Sequence, residues 1–346
     1  MAWTFDGVLL PSGESGRLEV AASPGASVAL LAPLPGRFCL PGLTDAHAHL
    51  TVRPDHTLGD ERLAKERLVE YAALGVGLVR DVGGDSSVTL ALAASPTHGV
   101  PMVRAAGSFL APPRRYFPGL HAPVPAEGLV EAACDQIAAG ATWVKVIGDF
   151  ALVGASGPVP GSLAPTYGPG LLAQVVQAAH ARGARVAVHT QSSHADELVD
   201  AGVDSVEHGE WLTEDGVQAL GARGGAWTPT LGAITEPPAN ASQTRRRYAA
   251  EASERLRTLL PLAVQSGVHV LAGTDLATTL PREVALLVRH GLEPTEALAA
   301  ASTAAANWID GHAPIHTLVT YHSDPREDPD ILTTPAAVVV NGSRVR

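Results

Sequence analysis

Cysteine is nearly absent from this 346-residue chain: only Cys39 and Cys134 occur. They allow one disulfide at most, which excludes a disulfide-stapled scaffold and suits a reducing compartment. Aromatic residues are scarce at 4%, and charged residues make up 17% against 46% hydrophobic. That balance excludes a disordered chain, which needs low hydrophobicity and high charge. Positive charge is the minority sign, with 24 Lys and Arg against 35 Asp and Glu and a formal net charge of −11. An acidic surface repels phosphate backbones and anionic lipid, so neither nucleic acid nor a membrane is an expected partner. Long apolar runs are missing too, because Pro and Gly interrupt every candidate before about 18 residues. The start, Met1-Ala2-Trp3-Thr4-Phe5-Asp6, lacks the basic flank and apolar stretch of a secretion signal. The expectation is a cytoplasmic, soluble protein. Histidine is the surplus, with 14 residues against 5 each of Phe, Trp and Tyr. Imidazole is the commonest metal-ligating side chain, so this excess directs the search.

From about residue 40 to residue 310, short Val-rich runs alternate with longer Ala-rich amphipathic stretches, the pattern of repeated βα units. Eight strands are predicted: Phe38 to Leu43, Gly75 to Val82, Val100 to Ala105, Ala141 to Ile147, Ala184 to His189, Ser205 to His208, Gly225 to Thr230 and Val268 to Thr274. Helices are predicted over Asp60 to Leu74, Leu129 to Ala139, Leu171 to Arg182 and Gln243 to Gln265. Eight such units fit an α/β architecture, a closed (β/α)8 TIM barrel over residues 41–310, better than an open sheet. Residues 1–40 and 311–346 carry strand-like fragments, Val8 to Leu10, Val28 to Leu31, Thr317 to Tyr321 and Ala336 to Asn341. Neither tail is long enough to fold alone, so the two are expected to form one small composite β-sandwich-like domain beside the barrel.

The chemistry-bearing residues fall at predicted strand ends. Pro41-Gly42-Leu43-Thr44-Asp45-Ala46-His47-Ala48-His49 closes the first strand, and alternation along an extended chain points His47 and His49 the same way, able to grip one ion. The fourth strand, Thr142-Trp143-Val144-Lys145-Val146-Ile147, puts an ammonium in the barrel wall. A buried lysine needs a partner or must lose its proton. Carboxylation by CO2 is one answer, since a carbamate can bridge two divalent ions; an ion pair with Asp149 is the other. His189 and His208 close the fifth and sixth strands, and Asp275 ends the eighth. Six ligand-competent side chains at the C-terminal ends of strands one, four, five, six and eight occupy the position of a barrel enzyme's active site. His180, on a helix, and His194, in a turn, are read as core or surface residues, Cys39 and Cys134 as packing residues, and Arg245-Arg246-Arg247 as a solvated helix face.

The segments Pro41 to Leu50, Val79 to Gly84, Trp143 to Val146, Val186 to His189, Val206 to Gly209, Thr228 to Thr230 and Ala272 to Asp275 together resemble the amidohydrolase superfamily. Within it they resemble the imidazolonepropionase-like and prolidase-like metal-dependent hydrolases. The resemblance spans nearly the whole chain. It implies that His47, His49 and Asp275 hold the more buried of two divalent ions, that His189 and His208 hold the more exposed one, and that carboxylated Lys145 bridges both; zinc is the expected metal, with manganese or another divalent ion as the alternative. Lys145 favours the two-metal, prolidase-like group over true imidazolonepropionases, which use one metal. One departure is His316-Thr317, where relatives carry an Ala-Asp pair entering the late strand of the β domain.

The implied reaction is hydrolysis of an amide C–N bond in a dipeptide, an N-acyl amino acid or a cyclic amide. A metal-bridging hydroxide attacks the carbonyl, and Asp275 serves as proton acceptor and donor. Alternatives are a mononuclear imidazolonepropionase-type cyclic amide hydrolase, a lactone or phosphotriester hydrolase, and a metal-free scaffold without turnover. Arg114, Arg115, Tyr116 and His121, in the loop after strand three, offer cationic and hydroxyl donors to a carboxylate-bearing small-molecule substrate or to the surface of a second copy of the chain in a homo-oligomer.

Overall fold

The computed structural model describes residues 2–21, 31–155, 157–314 and 316–346. Parallel pairing organises residues 43 to 270. One sheet joins Leu43–Ala48 to Val76–Asp81 and on to Met102–Ala105. The other runs in the order His269–Val270, Ala226–Thr228, Ser205–His208, Arg185–Thr190, Trp143–Ile147, Phe109–Leu110. Val76–Asp81 and Trp143–Ile147 are buried along their whole length, as strands of a helix-covered parallel sheet are, even though Arg80, Asp81 and Lys145 lie within them. Backbone hydrogen bonds link the sheets at both edges. Thr142 N–H donates to Ala105 O at 3.2 Å, while Ala46 N–H reaches Ala272 O and Asp275 N–H reaches His47 O, each at 2.9 Å. The result is an α/β fold of the TIM-barrel type.

The outer helices begin where polar side chains satisfy free N–H groups. Asp60 accepts from Leu63 N–H at the head of Glu61–Ala73, Thr213 from Gly216 N–H ahead of Glu214–Ala222, and Ser242 from Arg245 N–H ahead of Gln243–Gln265. Among the described residues no helix is long and apolar enough to cross a membrane.

The first predicted strand, Phe38 to Leu43, is corrected: it is two strands serving two sheets. Phe38–Leu40 pairs with the chain ends, and Leu43–Ala48 is the first parallel strand. Pro41 has no N–H for a ladder, and Gly42 turns the chain at φ +108°. His47 therefore lies inside the strand and His49 just beyond it.

The tails form one sheet among the described residues, in the order Glu14–Ala21, Ala2–Leu9, Phe38–Leu40, Leu318–Tyr321, Ala337–Val340, Ser343–Arg344, with Leu31–Pro33 also on Ala2–Leu9. The expected sandwich is thus corrected to a single seven-stranded sheet. Alternation explains why no facing sheet is required. Cys39, Leu318, Ala337 and Val339 join a small core with Trp3 and Phe5, whereas Leu40, Val319, Val338 and Val340 pack into the main core with helix residues Leu68 and Ala72. The expected strand fragment Val28 to Leu31 lies, apart from Leu31, outside the described residues.

Candidate metal centre

The strand ends gather His47, His49, Lys145, His189, His208 and Asp275 around one cavity of about 450 Å³. Asp275 Oδ1 lies 3.3 Å from His47 Nε2 and 3.2 Å from His49 Nε2, and its Oδ2 lies 3.9 Å from His208 Nδ1. The His189 and His208 ring centroids are 4.5 Å apart. One atom from each of His47, His208 and Asp275 falls within 4.8 Å of the others. Burial holds His189 well below the usual imidazole range and brings His208 down to about 3. Burial alone would raise the Asp275 carboxyl, but the His47 ring beside it holds it well below the ordinary range. Burial opposes the charged form of His47, but Asp275 beside it raises its proton affinity, so the neutral donors without a metal are His189 and His208, and with the ionised Asp275 carboxylate they are of the kind a divalent cation takes.

Three of the imidazoles are held from behind. His47 Nδ1 donates to Glu207 Oε2 at 2.7 Å, His49 Nδ1 donates to Gly83 O at 2.8 Å, and His208 Nδ1 lies 2.7 Å from Thr230 Oγ1. Glu207 also accepts from Arg80 at 2.8 Å and from Ser205 at 2.5 Å. The Arg80 guanidinium lies over the Trp143 ring, 4.6 Å from its centroid. Asp81 accepts from Leu50 N–H at 2.6 Å and Gly83 N–H at 3.1 Å, shaping the turn that presents the Gly83 carbonyl. Such partners fix ring orientation and tautomer. His208, Thr230 and Asp275 all adopt left-handed backbone, with φ of +68°, +46° and +47°. Strained non-glycine residues of this kind concentrate at functional sites. The sequence had marked the segments holding Arg80, Glu207 and Thr230 without assigning them roles; a carboxylate inside a Val-rich strand was the available signal for Glu207.

Lys145 and His189 differ from the others. Lys145, one of only two lysines in the chain, is 1% exposed, and its Nζ has no hydrogen-bond partner among the described residues, nor has His189 Nε2. The alternative ion pair between Lys145 and Asp149 is corrected. Asp149 accepts from Thr190 and Ser192 hydroxyls at 2.5 and 2.7 Å and from Gln191 N–H at 2.9 Å. It spends its oxygens bracing the segment after His189.

Of the four expected substrate residues, only Tyr116 lines the cavity. Arg114 donates to Val153 O at 3.2 Å, and Arg115 donates to Phe150 O at 2.7 Å and Ser162 O at 3.0 Å. Both guanidiniums brace the loop that carries Phe150. His121 packs edge-on to Tyr116, ring centroids 5.9 Å apart. Outside the centre, His180 pairs with Asp204 at 2.9 Å, and both cysteines are free.

Residues 38–309 match the amidohydrolase family. This chain belongs to that family. It is therefore a hydrolase acting on C–N bonds, and members of the family act on small molecules. An uncharacterized protein of Mycobacterium tuberculosis strain H37Rv is 34% identical over 325 residues, covering 89% of this chain and 85% of its own length. The fold is also similar to that of an Xaa-Pro dipeptidase with bound methionine, at TM-score 0.78 and 21% identity with all of both chains covered. Against a putative prolidase from Bifidobacterium longum the TM-score is 0.80 at 20% identity, over 99% of this chain and 94% of the other.

Proposed function

We propose that the protein is a cytoplasmic metal-dependent amide hydrolase whose catalytic unit is a closed (β/α)8 barrel, residues 41–310, beside a β unit built from residues 1–40 and 311–346. Two divalent ions, zinc or manganese, would be held by His47, His49 and Asp275 on one side and His189 and His208 on the other, with carboxylated Lys145 between them. The observation that carries this reading is Lys145 Nζ, buried without a partner among the described residues at the cavity that all six side chains line. Burial brings the lysine pKa down to about 8, so neutral amine is present near neutral pH. That neutral nitrogen adds to the carbon of CO2 and releases one proton, leaving an anionic carbamate in place of an unpaired amine.

When bound, the ions acidify a water and polarise the scissile carbonyl. The chain's own part is proton handling and orientation. Asp275 takes a proton on a carboxylate oxygen and returns it to the departing nitrogen. Glu207 and the Gly83 carbonyl hold the Nδ1 protons of His47 and His49, which leaves their Nε2 lone pairs free. A single-ion centre is the second reading, favoured by the close grouping of His47, His208 and Asp275.

Elemental analysis joined to native mass spectrometry decides between them. Two ions per chain and a mass gain of one CO2, both lost in Lys145→Ala, are expected; one ion with unmodified Lys145 would replace this reading with the single-ion one. His47→Ala and His49→Ala should keep the fold while losing metal and activity. Asp275→Asn should lose turnover, and wild-type rates in that variant would remove Asp275 as the proton carrier.

A further inference from the structure

The cavity wall carries information that the metal centre does not. The chain holds five phenylalanines, and three of them, Phe109, Phe117 and Phe150, line this one cavity with Tyr116, Leu120 and Leu276. They touch one another: Tyr116 lies 4.8 Å from Phe109, 5.3 Å from Phe117 and 5.1 Å from Phe150, centroid to centroid, and Phe117 lies 5.2 Å from Phe150. A chain with 4% aromatic residues has placed most of its phenylalanine above the reacting groups. Ring faces and edges of this kind receive another ring or a bulky alkyl group.

Charge is the second observation. Among the described residues, and apart from the six of the centre, the lining holds no Arg, Lys, Asp or Glu; His56, Gln191 and the Tyr116 hydroxyl are its polar groups. The guanidiniums that flank lining residues in sequence donate to backbone carbonyls, Arg53 to Leu58 O, Arg114 to Val153 O, and Arg115 to Phe150 O and Ser162 O. Arg114 and Arg115 hold the aromatic wall in place from outside. His56 stacks flat on Phe117, centroids 3.9 Å and planes 7° apart, and burial lowers its proton affinity. A substrate carboxylate away from the scissile bond would enter this wall with no fixed cation to meet it, and an unpaired buried charge is strongly disfavoured.

We infer that the substrate is an uncharged amide carrying an aryl or bulky alkyl group against Phe109, Tyr116, Phe117 and Phe150, and not a dipeptide or N-acyl amino acid with a free carboxylate. This rests on the proposed amide-hydrolase reading and selects within it. It replaces the expectation of a carboxylate-bearing substrate, because that expectation depended on arginines that face carbonyls.

The test is a matched set offered to the metal-loaded enzyme: phenylacetanilide, the same skeleton with a para-carboxylate on the anilide ring, and N-phenylacetylglycine. Binding of each to Asp275→Asn is followed by calorimetry, and kcat/KM is measured on wild type. Phenylacetanilide should be favoured at least about a hundredfold in both readouts. Phe150→Ala should raise its KM more than tenfold with kcat and metal content little changed. Equal or better binding and turnover of the carboxylates would overturn the inference while leaving the amide-hydrolase reading intact. Selective binding of phenylacetanilide with no C–N cleavage in any compound would uphold the apolar site and overturn the reaction. Absence of both binding and cleavage would overturn both.

Discussion

The two halves of the metal centre are finished to different degrees. Around His47, His49 and His208, each Nδ1 has a partner on another strand or loop, and behind them Glu207 and Arg80 are paired at 2.8 Å with both side chains fully buried. Around Lys145 and His189, Nζ and Nε2 are buried without partners among the described residues. Folded proteins pair nearly all buried polar atoms, and the exceptions call for an explanation. The difference teaches that the first half is braced by this chain itself, apart from Arg80 Nη1, whereas the second leaves two buried nitrogens without partners among the described residues, the feature on which the proposed metal and carbamate reading rests.

The comparison breaks most visibly at Glu207. Glu207→Ala leaves the Arg80 guanidinium buried and unpaired and should cost about 3–5 kcal/mol of stability in urea unfolding of metal-free protein. A cost under about 1 kcal/mol would mean that this network does not support the first half. Lys145→Met should behave in the opposite way, with metal-free stability equal to or above wild type, because an amine without a partner gives way to an apolar chain of similar volume. Activity of the metal-loaded protein should nevertheless fall about 10³-fold or more. A clear loss of metal-free stability would show that Lys145 is structurally paired.

Thr230→Val removes only the oxygen behind His208 and should weaken metal binding about 10–100-fold in competition with a chelator, leaving the ligands themselves in place. A pH-dependent effect belongs one residue further back. Glu283 accepts from Leu231 N–H at 2.5 Å and Gly232 N–H at 3.0 Å, immediately after Thr230. Burial raises its carboxyl from 4.5 to about 8, so between those values the folded chain keeps a proton that the unfolded chain has lost. Stability from this group is therefore greatest below pH 4.5 and declines as pH rises towards 8. The contribution to the slope is up to about 1.4 kcal/mol per pH unit. Glu283→Gln should flatten that decline in unfolding curves taken at pH 5 and pH 8.

Most of the centre was legible because barrel geometry converts sequence position into spatial position. His47 and His49 are two apart on extended chain and so share a side, and Lys145 stands out as a charge within a Val-rich strand. His208 ends one strand and Asp275 lies beyond another, and parallel strands carry all their C-terminal ends to one mouth. The first strand was misread because Phe38–Leu40 and Leu43–Ala48 look alike in composition; only the turn at Gly42, φ +108°, divides them between sheets. The loop arginines were misread because charge alone does not fix direction. Arg115 satisfies carbonyls at Phe150 and Ser162, 35 and 47 residues away, a choice that loop packing makes.

By itself the sequence determined the kind of atoms available and their order along the chain: an imidazole-rich, cysteine-poor, acidic molecule with alternating strands and helices and six donors at strand ends. Local periodicity and side-chain chemistry are properties of short segments, so they can be read without a fold. Tertiary structure alone decided which donors are held and which are left bare, since that depends on groups far apart in sequence, such as Glu207 behind His47 and Thr230 behind His208. It also decided that three phenylalanines, from strand Phe109–Leu110 and the segments around 117 and 150, meet around Tyr116 at the centre's cavity while the neighbouring arginines turn away. Those contacts arise from the competition of every buried polar group for a partner across the whole fold.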